Sequence, residues 1–279
     1  MKTPLLVLAL ALPLAVNAQP APSAPVGLEL YSLRNQFKID VPGTLKLARD
    51  MGFREVEVAG TYALTPAAFR ELLTKNGLKA ISTGASFDDL EGNVPKVIAE
   101  AKALGVRYVV CAWIPHTADL FTKADADRAA DVFNTAGRLL AENKLSLCYR
   151  THGYEFQKMT DGRTFFDYLA QNLEPALVNF EMDVFWVKMP GQDPVALLKQ
   201  YPKRFVLVHL KDRLTGTPGN DTGHADVETN VVLGTGDVGI AAFMPAAKKA
   251  GVKHFFLEDE SSRSVAQMPK SLAFLRSLK

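Results

Sequence analysis

Eight short β-rich runs alternate with eight amphipathic, helix-length segments along this chain, and that alternation leaves few folds open. The runs are Val26 to Tyr31, Glu55 to Ala59, Lys79 to Thr83, Tyr108 to Ala112, Leu145 to Tyr149, Val178 to Met182, Phe205 to His209 and His254 to Glu258. The helical segments centre near Leu47, Leu72, Ile98, Val132, Phe166, Leu197, Ala246 and Leu272. Gly52, Gly77, Gly105, Asn143 and Gly251 each follow a helical pattern and precede an apolar run, where a left-handed C-cap is expected. Continuous apolar strands joined by helices make right-handed parallel crossovers. Eight such units predict a single-domain α/β fold, a closed (β/α)8 TIM barrel. The alternative is a doubly wound open sheet. Against it, the first strand is followed by Tyr31-Ser32-Leu33-Arg34 rather than a Gly-rich phosphate loop.

Residues 1–18 stand apart. Met1-Lys2 is a short positive start, Leu5 to Val16 is almost wholly apolar, and Val16-Asn17-Ala18 has the small residues a signal peptidase cuts after. A cleaved signal peptide is expected, with a secreted or periplasmic mature chain. A Pro/Ala-rich tail at 19–25 leads into the barrel at 26–279. No second apolar run reaches membrane length, so no membrane partner is expected after cleavage. The 32 Lys and Arg, one of them Lys2 in the leader, face 30 Asp and Glu. That balance argues against a nucleic-acid groove, which needs a basic surplus. Cys111 and Cys148 both sit in apolar runs and are expected as buried thiols rather than a bridge. The composition permits an oligomer without specifying one.

Chemistry gathers at the strand ends, because a parallel barrel keeps its active site at the carboxyl-terminal rim. The run Phe205-Val206-Leu207-Val208-His209-Leu210-Lys211-Asp212 ends in an imidazole, an ammonium and a carboxylate. Strand six supplies Asp183, strand eight supplies Glu258, and strand five continues into Arg150-Thr151-His152-Gly153-Tyr154-Glu155-Phe156. A neutral imidazole with carboxylates on a rigid frame suits a divalent ion such as Mn, Mg, Co or Zn. Arg150 and His152 share a face by the period-two rule, so His152 is expected as the strand-five ligand beside Asp183, His209 and Glu258. Arg150, always cationic, is expected to clamp a substrate oxygen.

The combination Gly27-Leu28-Glu29-Leu30-Tyr31-Ser32-Leu33-Arg34, Tyr149-Arg150-Thr151-His152-Gly153-Tyr154-Glu155-Phe156, Asp183-Val184-Phe185-Trp186, Val208-His209-Leu210-Lys211-Asp212, Leu233-Gly234-Thr235-Gly236-Asp237 and Leu257-Glu258-Asp259-Glu260 resembles the xylose isomerase-like barrel family of sugar isomerases and epimerases. The resemblance covers the mature chain. It implies a divalent metal held by strands five to eight and proton chemistry beside a sugar carbonyl. Asp183, His209 and Glu258 match the family's ligands on strands six to eight. Strand five departs: relatives carry a Glu there, or a His-Asn-His, where this chain has Arg150 and Thr151 ahead of His152.

Such a site polarises a carbonyl and stabilises the enediolate left by proton removal. Glu155 and Glu258 are the expected acid-base pair, with Glu155 alternatively a metal ligand, and Lys211 and Arg150 are the oxyanion partners. Trp186, Trp113 and Tyr31 are candidate platforms for an apolar sugar face, and Glu29 and Glu57 are candidate substrate contacts. His116 reads as a solvated loop residue. The stretch from Arg213 to Asn230 is long enough to serve as a lid. The expected activity is metal-dependent isomerisation or epimerisation of a non-phosphorylated sugar or keto sugar. Two alternatives are a keto-glycoside lyase working by β-elimination and a sugar-binding barrel without catalysis.

Overall fold

In the computed structural model, which describes residues 26–278, eight parallel strands close into a barrel. They are β1 (Gly27–Glu29), β2 (Glu55–Val58), β3 (Lys79–Gly84), β4 (Tyr108–Cys111), β5 (Ser146–Arg150), β6 (Val178–Asp183), β7 (Phe205–Leu210) and β8 (His254–Leu257). Each pairs with its neighbour in sequence, and β8 closes on β1 through Gly27 opposite Phe256 and Leu28 opposite Leu257. That closing pair rules out the open sheet. The expected leader and the 19–25 tail lie outside the described residues. Among the described residues, no helix is long and apolar enough to cross a membrane.

Helices Val41–Asp50, Pro66–Lys75, Val94–Leu104, Lys123–Glu142, Phe165–Asn172, Pro194–Gln200, Ile240–Ala250 and Ser264–Ser277 follow the eight strands where the apolar periodicity places them. Their starts are chemically marked. Thr122 and Thr164 each form a reciprocal capping box with the Asp three residues on, and Asp40 accepts from Gly43 N at 3.0 Å. Gly105 (φ 76°) and Gly251 (φ 91°) are left-handed C-caps as expected. Asn143 is not: its φ is −97°, and Lys144 takes the left-handed turn at 61° instead. The first strand also ends early. Glu29 accepts from Tyr31 N, and Leu30–Leu33 coils into a 3₁₀ turn.

The core has two parts. Between strands and helices lies one large apolar cluster that includes Phe53, Phe69, Phe133, Phe166, Phe180 and Phe243. Inside the barrel, Ile81, Val110, Cys148, Leu207 and Phe256 form a small plug, with both cysteines buried and unbridged. Side chains alternate along a strand, so Cys148, Leu207 and Phe256 share a face with Arg150, His209 and Glu258 two residues on. The apolar plug is thus the floor beneath a polar layer. Two register shifts, between Val56 and Glu57 and between Phe180 and Glu181, each fall just before an inward carboxylate. Such irregularities re-aim side chains near active sites.

The segment after β7 leaves the barrel through a two-stranded ribbon, Asp212–Arg213 against Asn230–Val231. Its excursion is pinned at Asn220 N to Met189 O (3.1 Å) and at Gln157 Nε2 to Asp221 O (2.8 Å).

Candidate active site

Register assembles the polar layer. Asp183 lies opposite His209, Arg150 opposite Glu181, and Glu29 opposite Glu57, so neighbouring strands place these side chains about 4.8 Å apart on one inner face. They surround a cavity of ≈ 370 Å³ at the strand ends, in the size range of small-molecule sites. Its acidic wall comes from Glu29, Glu57, Glu258 and Glu260, while Gly84, Val110 and Ala112 give the β3–β4 side no carboxylate.

His209 is the hub. Its Nδ1 is 2.8 Å from Glu258 Oε2, and its Nε2 is 2.9 Å from Glu57 Oε1 and 3.3 Å from Glu181 Oε1. Burial works against charge on the ring, but Glu181, Glu57 and Glu258 outweigh it and hold the imidazolium above its ordinary range. Arg150 Nη1 is 3.3 Å from Asp183 Oδ2, 3.2 Å from His209 Nδ1 and 3.5 Å from Glu258 Oε2. Lys211 Nζ is 3.5 Å from the same Asp183 oxygen, 3.4 Å from the same Glu258 oxygen, and bonded to Glu260. Against the cost of burial, Lys211, His209 and Arg150 keep Glu258 well below the usual carboxylate range. Glu29 goes the other way: burial, then the charge of Glu57, raises it well above. One cavity therefore carries carboxyls whose acidities are pushed in opposite directions, the separation that acid-base catalysis needs.

Of the expected residues, Glu29, Glu57, Arg150, His152, Trp186, His209 and Glu258 line the cavity, as does Tyr31. Lys211 is 1% exposed and lies behind that lining, where its ammonium braces Asp183, Glu258 and Glu260 rather than facing substrate. Asp183 is also behind it, its Oδ1 capping the short helix Val184–Lys188 through Phe185 N and Trp186 N. Glu155, expected as a base, is turned away. Its carboxylate accepts from His152 N at 2.8 Å, and it is wholly buried among Tyr149 and the backbone of its own turn. Burial lifts it to about 7, but it does not line this cavity.

His152, expected as a ligand, reaches the cavity but not the other donors. Its ring stacks on Trp186 (centroids 4.8 Å apart) and meets the edge of Trp113, while burial, then Arg150 and Lys211, keep it neutral. The face of Trp186 is thereby covered, and Trp113, packed with His116 and Tyr154, is not in the lining. His116 is stacked at 4.7 Å on Trp113 rather than solvated. Glu181 was not singled out from the sequence, although its place two residues before Asp183 puts both on one face. It is fully buried with His209 Nε2 3.3 Å from its Oε1, and burial with the charge of Glu57 raises it to about 7.

Two donor groups are arranged as a metal would require: Asp183, His209 and Glu258, and separately Glu29, Glu57 and His209, each with ligand atoms within 4.8 Å of one another. The first set is already engaged. The Asp183 and Glu258 oxygens that face inward are held by Arg150 and Lys211, and Asp183's other oxygen caps a helix. A divalent ion does not fit among Asp183, His209 and Glu258 as they stand, since it would share the space with a guanidinium, and in the other set Glu57 Oε1 and His209 Nε2 are already engaged with each other at 2.9 Å.

A family model described as the xylose isomerase-like TIM barrel matches residues 45–278. The inosose dehydratase of Klebsiella pneumoniae subsp. pneumoniae is 25% identical over 182 residues, 58% of this chain and 60% of that protein. The chain thus spans about three-fifths of the length of that curated relative. Among solved structures, a sugar phosphate isomerase/epimerase from Parabacteroides distasonis superposes with a TM-score of 0.77 at 21% identity, covering 93% of this chain and 98% of that one. The IOLI protein with a bound zinc atom gives 0.69 at 13% identity, covering 91% and 95%.

Proposed function

The chain belongs to the xylose isomerase-like TIM barrel family, and from that premise we propose that it moves a proton beside the carbonyl of a non-phosphorylated sugar or keto sugar, as an isomerase. The observation that carries this reading is an ionised carboxylate and a fixed guanidinium on one cavity, Glu258 Oε2 and Arg150 Nη1, 3.5 Å apart. Glu258 takes the proton next to the carbonyl, and Arg150 holds the oxygen on which enediolate charge develops. Arg150 Nε is a buried donor with no partner, which supports a substrate oxygen as its acceptor. Glu29, whose protonated form is favoured by burial and by the charge of Glu57, is the acid that returns a proton to oxygen.

One asymmetry separates the outcomes. The lining residues from β3 to β5 and their loops are Gly84, Val110, Ala112, Arg150 and His152, so no carboxylate serves that side. Proton return on the face of removal gives aldose–ketose isomerisation, whereas epimerisation needs an acid on the second face. The same asymmetry also suits β-elimination from a keto-glycoside or keto-polyol, a second reading that the dehydratase name of the Klebsiella relative supports. The leader at 1–18 supports action outside the cytoplasm, on substrates without phosphate.

A product screen on aldoses, ketoses, keto-glycosides and their phosphates tests this. Aldose–ketose interconversion of a free sugar is expected. Turnover confined to phosphorylated sugars would overturn the substrate class, and release of an aglycone or of water would replace isomerisation by elimination.

A further inference from the structure

We infer that the guanidinium of Arg150 is the resident cation of this site, standing where the Asp183, His209 and Glu258 donor set would otherwise hold a divalent ion, and that the chain works without a bound metal. The inference goes beyond the reaction proposed above and does not depend on it.

Three observations point the same way. A single guanidinium nitrogen, Arg150 Nη1, lies 3.2–3.5 Å from one donor atom of each of the three residues, so it sits among them as an ion would. Those acceptors are satisfied twice over, because Lys211 Nζ approaches the same two carboxylate oxygens at 3.4 and 3.5 Å. Strand five offers no fourth ligand: it contributes Arg150 itself, His152 is stacked on Trp186, and Glu155 is bonded to its own turn. Arg cannot lose its proton to become a ligand, and its side chain is only 13% exposed, so it is confined to the barrel mouth. An incoming divalent ion would need donors at about 2.0–2.2 Å and would meet two fixed positive charges on the way.

Elemental analysis of the full chain, with thermal midpoints measured in EDTA and in added Mn, Co or Zn, tests this without a substrate. The unaltered chain should hold far less than one ion per chain, and its midpoint should move with neither chelator nor metal. Arg150→Glu replaces the cation by a fourth donor and should then take up about one ion per chain, with a midpoint that rises on metal addition and falls back in EDTA. Arg150→Gln, closer in shape, guards against a fold failure and should gain at least weak, saturable metal binding. A stoichiometric ion in the unaltered chain that Asp183→Asn removes would overturn the inference. So would an absence of metal binding in both Arg150 variants while they remain folded, since the guanidinium would then not be what keeps the ion out. If a substrate is in hand, turnover should be unchanged in EDTA.

Discussion

Replacing Glu258 by Gln removes the one cavity carboxylate that Lys211, His209 and Arg150 jointly hold ionised. Turnover should fall about a hundred- to ten-thousand-fold with substrate affinity little changed, read as kcat against KM on the best substrate of the screen. Glu155→Gln should behave differently. Its carboxyl lies off the cavity, so turnover should stay within a few-fold; a loss as large as that of Glu258→Gln would restore the base role to Glu155. Stability supplies the second signature. The Glu155 carboxyl is raised by burial from about 4.3 in an unfolded chain to about 7, so between those values the folded state binds more protons than the unfolded one. That group therefore costs the unaltered chain stability as pH rises through the window. The Gln variant lacks this cost, so its thermal midpoint should gain on the unaltered chain from about pH 4 to 7 and level off above. At this scale the residue types were legible in the sequence, while their directions were not. Period-two alternation puts Arg150 and His152 on one face, yet it does not say that a long guanidinium reaches the strand-six to strand-eight acids while an imidazole stops against Trp186.

Among the polar elements, the loop after β7 is held by the carboxylate that closes the His-Leu-Lys-Asp run. Asp212, last of the His-Leu-Lys-Asp strand end, accepts from Gly234 N (2.8 Å), Gly236 N (3.0 Å) and Val238 N (3.1 Å). The loop backbone wraps this carboxylate so closely that a Cβ on Gly236 would lie 2.3 Å from Arg213 O. Asp212→Ala leaves three backbone donors without their acceptor, that of Val238 buried, and should cost about 2 kcal/mol or more in denaturant-unfolding stability. Activity per folded molecule should survive; a stability change under about 1 kcal/mol would show that the loop holds itself. The strands and helices themselves were readable because each carries its own period and cap. The two register shifts ahead of Glu57 and Glu181 were not, since they arise from pairing between strands rather than from any one segment. Lys144 taking the turn expected of Asn143 has the same origin: the chain must rejoin β5, and Lys144 N bonds Ala141 O at 2.9 Å to do so.

Across the whole molecule, barrel order sorts charge around the mouth. Carboxylates line it from β8, β1 and β2 and stand behind the lining on β6, while Gly84, Val110 and Ala112 leave the β3–β4 arc apolar. A substrate bound between the arcs meets its base from one side only, which is why the account favours proton return on the face of removal. The closed barrel followed from counting strand–helix units. The sidedness did not, because it depends on closing β8 against β1 and on Glu155 facing away. The most direct measurement is proton NMR of a turned-over sugar in heavy water, with unaltered enzyme and with Glu258→Gln, repeated kinetically on substrate deuterated beside the carbonyl. The account predicts that the hydrogen beside the carbonyl exchanges with solvent, or at least shows a primary isotope effect, and that Glu258→Gln abolishes both along with turnover. Conversion that carries the deuterium wholly from one carbon to the other with none lost to solvent, and that persists in Glu258→Gln, would mean that the hydrogen travels without Glu258 removing it as a proton, and would contradict the role given to Glu258.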